Sequence, residues 1–188
     1  MIEPAYASIA QLARSLKRSR DGDGTNAEVV KWLRAVSEKA PSIPVPHKRD
    51  ARRNYARTLL HRCDDFEILV LHWLPGARSS IHDHGGALCW FAVAKGEVGV
   101  ENFLRYDTGA TPGYARIGFD GRENLHEGAI DYRQDDVHLH RCFAGNEHAV
   151  SLHVYARPIE RFHTFDERAR TCCEATSTYD AILDASLA

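Results

Sequence analysis

Apolar residues along this 188-residue chain recur at two different periods, and the change of period divides it. Near the N-terminus the period is helical. Ile9, Leu12 and Leu16 share one face while Arg14, Lys17 and Arg18 lie elsewhere, which predicts a first helix. Asp21-Gly22-Asp23-Gly24 then breaks the chain. Thr25 or Asn26 can cap a second helix, and Glu28 stands three residues after Thr25, the spacing of a capping box. Val29, Val30, Leu33 and Val36 form the apolar stripe of that helix, with Trp32 beside it. Pro41, Pro44 and Pro46 stop it and predict an extended connector.

From about residue 66 the period is two. Phe66 to Trp73 reads as a strand buried on both faces for much of its length. Leu88 to Val93 and Val98 to Phe103 flank Ala94-Lys95-Gly96-Glu97, which reads as a hairpin. Short strands are expected near 114–119, 128–132 and 137–143, and a last clear one from Ala149 to Tyr155. The chain then turns polar, and periodicity places no element there. Many short strands with Gly and Asp turns, after a helical lead-in, predict a mainly β fold, a small barrel or jelly roll. With no internal repeat and no long linker, one domain is expected over 1–188. It divides into a helical lead-in to about residue 46, a β core over about 47–170 and a C-terminal segment.

Composition narrows the function classes. Apolar residues make up 44% and charged residues 27%, so a packed core is expected rather than disorder. Twenty-four Lys and Arg against 26 Asp and Glu give a net charge of −2, without the basic footprint of a nucleic-acid binder. No run of about 18 apolar residues is present, so no membrane helix is expected. Met1-Ile2-Glu3-Pro4 has no basic n-region and no apolar h-region, so a cytoplasmic protein is expected. Cys63, Cys89, Cys142, Cys172 and Cys173 are then expected to be reduced thiols. The departure from ordinary usage is histidine, at 11 residues.

His82-Asp83-His84 follows Pro75-Gly76-Ala77-Arg78-Ser79-Ser80. In an extended segment, residues i and i+2 face the same way, so the two imidazoles converge and Asp83 points away. His138 and His140 repeat the pattern on a later strand. A metal needs three or four ligands, and spacing alone lets either or both of that pair complete a site. Imidazole ligands suit iron, copper, zinc and nickel. Ser151, His153 and Tyr155 alternate with Leu152 and Val154, which puts three polar side chains on one face. Buried, that row needs internal hydrogen bonds, and a Ser–His–Tyr relay supplies them. It is no hydrolase triad: no carboxylate is placed to orient His153, and Ser151 is not in a Gly-x-Ser-x-Gly elbow. Tyr55 and Arg57 are again i, i+2, and arginine is a bidentate partner for a carboxylate.

Gly76, five residues, His82-x-His84 and the later Gly96 resemble the first motif of the cupin superfamily. That motif carries a glutamate four or five residues after the second histidine, where this chain has Leu88 and Cys89. More specifically, the segment from Gly76 to Cys89 resembles the iron-binding stretch of the cysteine dioxygenase family. His138-Leu139-His140-Arg141, Ser151 to Tyr155, Asn54-Tyr55-Ala56-Arg57 and His163-Thr164-Phe165-Asp166 resemble its other signatures, in order, from about residue 54 to 168.

The resemblance implies a cupin-type barrel and a single ferrous ion per chain held by His82, His84 and His140. His138 then becomes a neighbour, because the family's third ligand stands in a Leu-His-Arg context. It implies Arg57 for the substrate carboxylate with Tyr55 supporting it, and Ser151, His153 and Tyr155 as the relay. Cys89 occupies the position that in some members forms a thioether with the tyrosine, here Tyr155. The implied reaction is oxidation of L-cysteine by dioxygen to cysteine sulfinate, with substrate thiolate and amine at the metal. The same reaction on another small thiol such as 3-mercaptopropionate, or a non-catalytic metal- or ligand-binding cupin, are the alternatives. One departure affects the pocket: where cysteine-specific members often have Ser-Pro-Pro after the tyrosine, this chain has Ala156-Arg157-Pro158, which offers a second arginine to a carboxylate.

Overall fold

The computed structural model describes residues 25–46, 50, 53–134 and 138–183. The predicted first helix, with Ile9, Leu12 and Leu16, lies outside the described residues. The second is present as α1, Thr25–Ser37, followed by a single 3-10 turn at Ala40–Ser42 that contains Pro41. Val29 and Leu33 from the predicted stripe are fully buried.

Among the described residues, twelve strands follow in two six-stranded sheets. The first sheet runs β12 (Ala181–Ile182), β1 (Tyr55–Arg62), β2 (Phe66–Trp73), β9 (Ala149–Ala156), β4 (Leu88–Lys95) and β7 (Ile130–Arg133). The second runs β11 (Thr171–Thr176), β10 (Arg161–Asp166), β3 (Ile81–His82), β8 (His138–Ala144), β5 (Glu97–Arg105) and β6 (Ile117–His126). This is the mainly β, cupin-type double sheet that the patterning and the resemblance imply.

Period-two alternation sorts the side chains into two layers. On β2, Leu69, Leu71 and Trp73 face the space between the sheets, while Phe66, Ile68 and Val70 face outward under α1. β2 is thus buried on both faces, as its largely apolar run predicts. On β9, Val150, Leu152 and Val154 pack in the outer layer with α1. Ser151, His153 and Tyr155 are therefore left to the interior, and all three are buried. A smaller apolar cluster of Ile81, Phe103, Ala115, Ile117, Leu139 and Phe165 lies behind the second sheet.

The hairpin expected at Ala94-Lys95-Gly96-Glu97 does not form. β4 pairs with β7 and β9, β5 pairs with β6 and β8, and the two strands belong to different sheets. A two-residue loop is the usual minimum for a hairpin, and here Gly96 alone separates the strands. It turns the chain from one sheet into the other, with φ +74°. A Cβ at this position would come within 2.9 Å of the His148 carbonyl oxygen.

The strand expected at 114–119 is the start of a longer one. β6 runs to His126 through Asp120-Gly121-Arg122-Glu123-Asn124, an edge segment whose partner ladder on β5 supplies order that its side chains do not advertise. The polar C-terminal stretch contains three strands, and β12 pairs in parallel with β1 through Thr58 and Ala181. All five cysteines are free thiols. Among the described residues no helix is long and apolar enough to cross a membrane.

Candidate metal centre and substrate pocket

The two sheets contribute different chemistry to one interior. The second sheet brings the imidazoles. His82 on β3 is the direct antiparallel partner of His140 on β8, and His84 lies just past the end of β3. One ligand atom from each of His82, His84 and His140 falls within 4.8 Å of the others. Ring centroids stand 4.5 Å apart for His82 and His140 and 4.8 Å apart for His84 and His140. His138 starts the same strand, opposite Leu104 in register, whereas His140 is opposite His82 and Asn102.

The donor set fits a metal ion. His82 Nδ1 lies 2.9 Å from the Ser80 carbonyl, which fixes the ring and leaves Nε2 for the cluster. His140 Nδ1 is buried with no hydrogen-bond partner among the described residues, a costly state for an imidazole without a ligand or proton acceptor. Burial, followed by repulsion from the neighbouring rings, pushes the His84 and His140 pKa values well below the usual histidine value. The rings are therefore neutral, the form that ligates. Asp83 points away from the cluster, as expected. Its carboxylate accepts from the backbone N–H groups of Gly85 (3.1 Å) and His163 (2.7 Å) and faces His163 Nδ1 at 3.0 Å. It thereby ties the turn carrying His84 to β10.

The first sheet brings the relay. Trp73 Nε1 donates to Ser151 Oγ at 2.8 Å, Ser151 Oγ lies 2.8 Å from His153 Nε2, and the Tyr155 hydroxyl lies 3.2 Å from His153 Nδ1. Phe91 stacks on the His153 ring at 5.0 Å and 12°. Burial and the nearby Arg57 charge hold His153 down at about 3, so the ring is neutral. Its two nitrogens accordingly play opposite roles, one donating and one accepting. Tyr155 also approaches His84, ring centroids 5.6 Å apart. Cys89 on β4 is the direct cross-strand partner of Tyr155. Burial pushes the Cys89 thiol and the Tyr155 phenol up, so both keep their protons.

Tyr55 and Arg57 project from β1 into the same interior. Tyr55 stacks on Trp73 at 4.6 Å. Arg57 Nη2 donates to Ser177 Oγ at 3.0 Å, and its guanidinium lies over the Tyr179 ring at 5.8 Å. Arg57 Nε is buried and has no hydrogen-bond partner among the described residues. Tyr55, Arg57, His82, His84, Cys89, His140, His153 and Tyr155 all line one inner chamber of about 40 Å³, walled by Leu71, Trp73 and Phe91. Tyr55, Arg57, His82, His84 and Tyr155 also line an outer cleft of about 580 Å³ that reaches the surface beside Ser177 and Phe162.

Arg157 does not join them. It is exposed, with φ +74°, and its Nη2 donates to the Gly86 carbonyl at 3.0 Å. The second arginine considered for a carboxylate is therefore spent on the backbone outside the pocket.

The order and spacing of these residues also decide the family. The family profile of cysteine dioxygenase type I matches residues 2–168. The chain belongs to the cysteine dioxygenase type I family. It is similar to cysteine dioxygenase type 1 of Homo sapiens, 28% identical over 175 residues, which span 92% of this chain and 86% of that protein. The Danio rerio protein of the same name is 27% identical over 168 residues, 86% of this chain and 80% of that one. Among solved structures, an RmlC-like cupin from Desulfovibrio desulfuricans shares 20% identity and a TM-score of 0.42, over 60% of this chain and 90% of that one. Membership makes this cysteine dioxygenase homologue a metal-dependent thiol dioxygenase, an oxidoreductase acting on a small molecule with dioxygen.

Within this family member, sequence reasoning missed the residues that surround the pocket from the C-terminal side. Asp180 accepts from the backbone N–H groups of Asp50 and Arg57, both at 2.8 Å, and pairs with Arg53 at 3.2 Å. Ser177 accepts from Arg57 Nη2, and the Tyr179 ring faces its guanidinium. Nothing in the periodicity of that polar segment signals this. Trp73 as donor to Ser151 and Glu67, a charged residue in an apolar strand with no exposure, were missed as well. An acid inside a largely apolar strand was the available signal for Glu67.

Proposed function

We propose that this chain oxidises L-cysteine to cysteine sulfinate with dioxygen, using one ferrous ion held by His82, His84 and His140. The observation that carries the reading is the shared chamber. The three-histidine cluster and the buried, partnerless Nε of Arg57 line the same small space. A thiol at the metal and a carboxylate on Arg57 belong to one small molecule. When bound, ferrous iron would supply the activation of dioxygen that no side chain can provide.

The chain's own groups then bind and orient. Arg57 offers a charge-assisted fork to the carboxylate, and its Nη2 donates to Ser177 Oγ. Tyr55, braced on Trp73, borders the same end of the chamber. In the tautomer with hydrogen on Nδ1, His153 accepts from Ser151 and donates to Tyr155. The Tyr155 proton is then free to be donated into the chamber, beside the sulfur as it gains oxygen. Leu71, Trp73 and Phe91 give the chamber an apolar wall, which strengthens these polar contacts. In the overall reaction both oxygen atoms enter the product: the thiol and one dioxygen give the sulfinic acid, with no other reductant.

The test is anaerobic loading of the purified chain with ferrous iron, followed by oxygen uptake with L-cysteine, 3-mercaptopropionate and cysteamine. L-cysteine is expected to give the highest kcat/KM and one sulfinate per dioxygen. Preference for 3-mercaptopropionate overturns the substrate, and no uptake with any thiol overturns the catalytic reading.

A further inference from the structure

Three polar side chains outside the proposed chemistry form a line that ends on Arg57. Glu67 is fully buried on β2, where an acid interrupts the apolar row of Leu69, Leu71 and Trp73. Tyr179, just before β12, donates its hydroxyl hydrogen to Glu67 Oε2 at 2.5 Å. Arg62 Nη1 donates to the same Tyr179 oxygen at 2.9 Å and stands 3.8 Å from the Glu67 carboxylate. The other Glu67 oxygen accepts from the Ile159 backbone N–H at 3.3 Å. Tyr179 is thus gripped at its hydroxyl, and its ring face is offered to the Arg57 guanidinium, 5.8 Å from the centroid.

We propose that Tyr179, anchored by Glu67 and Arg62, is a positioning residue that holds the Arg57 guanidinium for carboxylate-bearing thiols, a role that rests on Arg57 being the carboxylate site proposed above. A buried carboxylate is expensive unless its partners are fixed. Here the cost is spent on one ring orientation. Arginine keeps up to five N–H donors, and those not used by Ser177 are available to the ligand only while the guanidinium plane stays in place. The Tyr179 ring supports that plane from one side through a cation–π contact. Without the hydroxyl anchor the ring is free to rotate, and Arg57 loses its support while the histidine cluster is untouched.

The experiment measures the ratio of kcat/KM for L-cysteine to that for cysteamine, which lacks the carboxylate, on single preparations of the iron-loaded chain. Both thiols share the same metal content and folded fraction, so the ratio cancels either defect. If cysteamine turns over too slowly to time, its inhibition constant against L-cysteine replaces its kcat/KM. Tyr179→Phe, which keeps the ring and loses the anchor, should lower the ratio about 2- to 12-fold, the worth of one hydrogen bond, through KM for L-cysteine with kcat held. Tyr179→Leu should lower it further, since the ring is lost too. Arg57→Ala is the reference and should lower the ratio more than either.

An unchanged ratio in Tyr179→Phe and Tyr179→Leu, beside a collapsed ratio in Arg57→Ala, overturns the positioning role and leaves the carboxylate site standing. An equal fall for both thiols makes Tyr179 merely structural and overturns the role as well. An unchanged ratio in Arg57→Ala overturns the carboxylate site and this proposal with it.

Discussion

Cys89 and Tyr155 are directly opposite each other on neighbouring antiparallel strands, both fully inside the barrel and both protonated. Cross-strand partners have Cβ atoms about 4.5–5.5 Å apart, which brings a thiol to the edge of a phenol ring. Turnover in the presence of iron and dioxygen is expected to join Cys89 Sγ to a Tyr155 ring carbon. The thiol hydrogen and one ring hydrogen leave, and two electrons pass to dioxygen. Peptide mapping after turnover should find a linked Cys89–Tyr155 peptide lighter by two hydrogens. Only unlinked peptides after exhaustive turnover would refute the bond. Cys89→Ala should remain active, because the link locks a rotamer and carries no chemistry of its own.

Metal binding should depend on His140 and survive loss of His138. His140 is opposite His82 across the β3–β8 ladder and belongs to the cluster of ligand atoms. Elemental analysis of iron-loaded His140→Ala is expected to show little metal, and His138→Ala close to one ion per chain. A site emptied by His138→Ala alone would mean the third ligand is misassigned.

Acid should destabilise the metal-free chain through His153. Burial lowers its pKa from 6.5 to about 3 in the fold, so between those values the unfolded chain binds a proton that the folded chain refuses. The stability tied to the neutral ring is complete above the unfolded value. It is lost progressively as pH falls below about 6.5, at a slope on the order of 1 kcal/mol per pH unit. Urea unfolding between pH 7 and 5 should show this slope, and His153→Gln, which cannot titrate, should show a shallower one. Equal slopes in the two proteins would contradict the assignment.

The corner at Gly96 should tolerate no side chain. At φ +74° an L-residue pays about 1–2 kcal/mol, and its Cβ would also meet the His148 carbonyl at 2.9 Å. Gly76 has a similar φ of +71°, but a Cβ there would meet no atom of the described residues within 4 Å. Gly96→Ala is therefore expected to cost more than Gly76→Ala in denaturant unfolding. Equal costs would show that the backbone at His148 yields without penalty.

Some of this was legible in the chain itself. Period-two alternation gave the two faces of β2 and β9, because burial on a strand is decided one residue at a time. His82, His84, Ser151, His153, Tyr155, Tyr55 and Arg57 were identifiable because each set repeats at i, i+2 and a strand throws such residues to one side. The α1 stripe was readable from its spacing for the same kind of reason.

Pairing and convergence were decided only in three dimensions. Whether His138 or His140 completes the cluster depends on the register of β8 against β3, which periodicity of two leaves open. The Gly96 link looked like a hairpin because local sequence cannot say which partners a strand's edges will find elsewhere. The C-terminal strands escaped notice because their order comes from ladders with β1 and β10 rather than from apolar faces of their own. Through those ladders Ser177, Tyr179 and Asp180 return more than a hundred residues along the chain to contact Arg57. The sequence by itself determined which side chains share a strand face, a local property of backbone geometry. Which faces meet, and which distant residues brace them, was determined by tertiary packing, because strand edges and buried polar groups are satisfied only by partners far away in the chain.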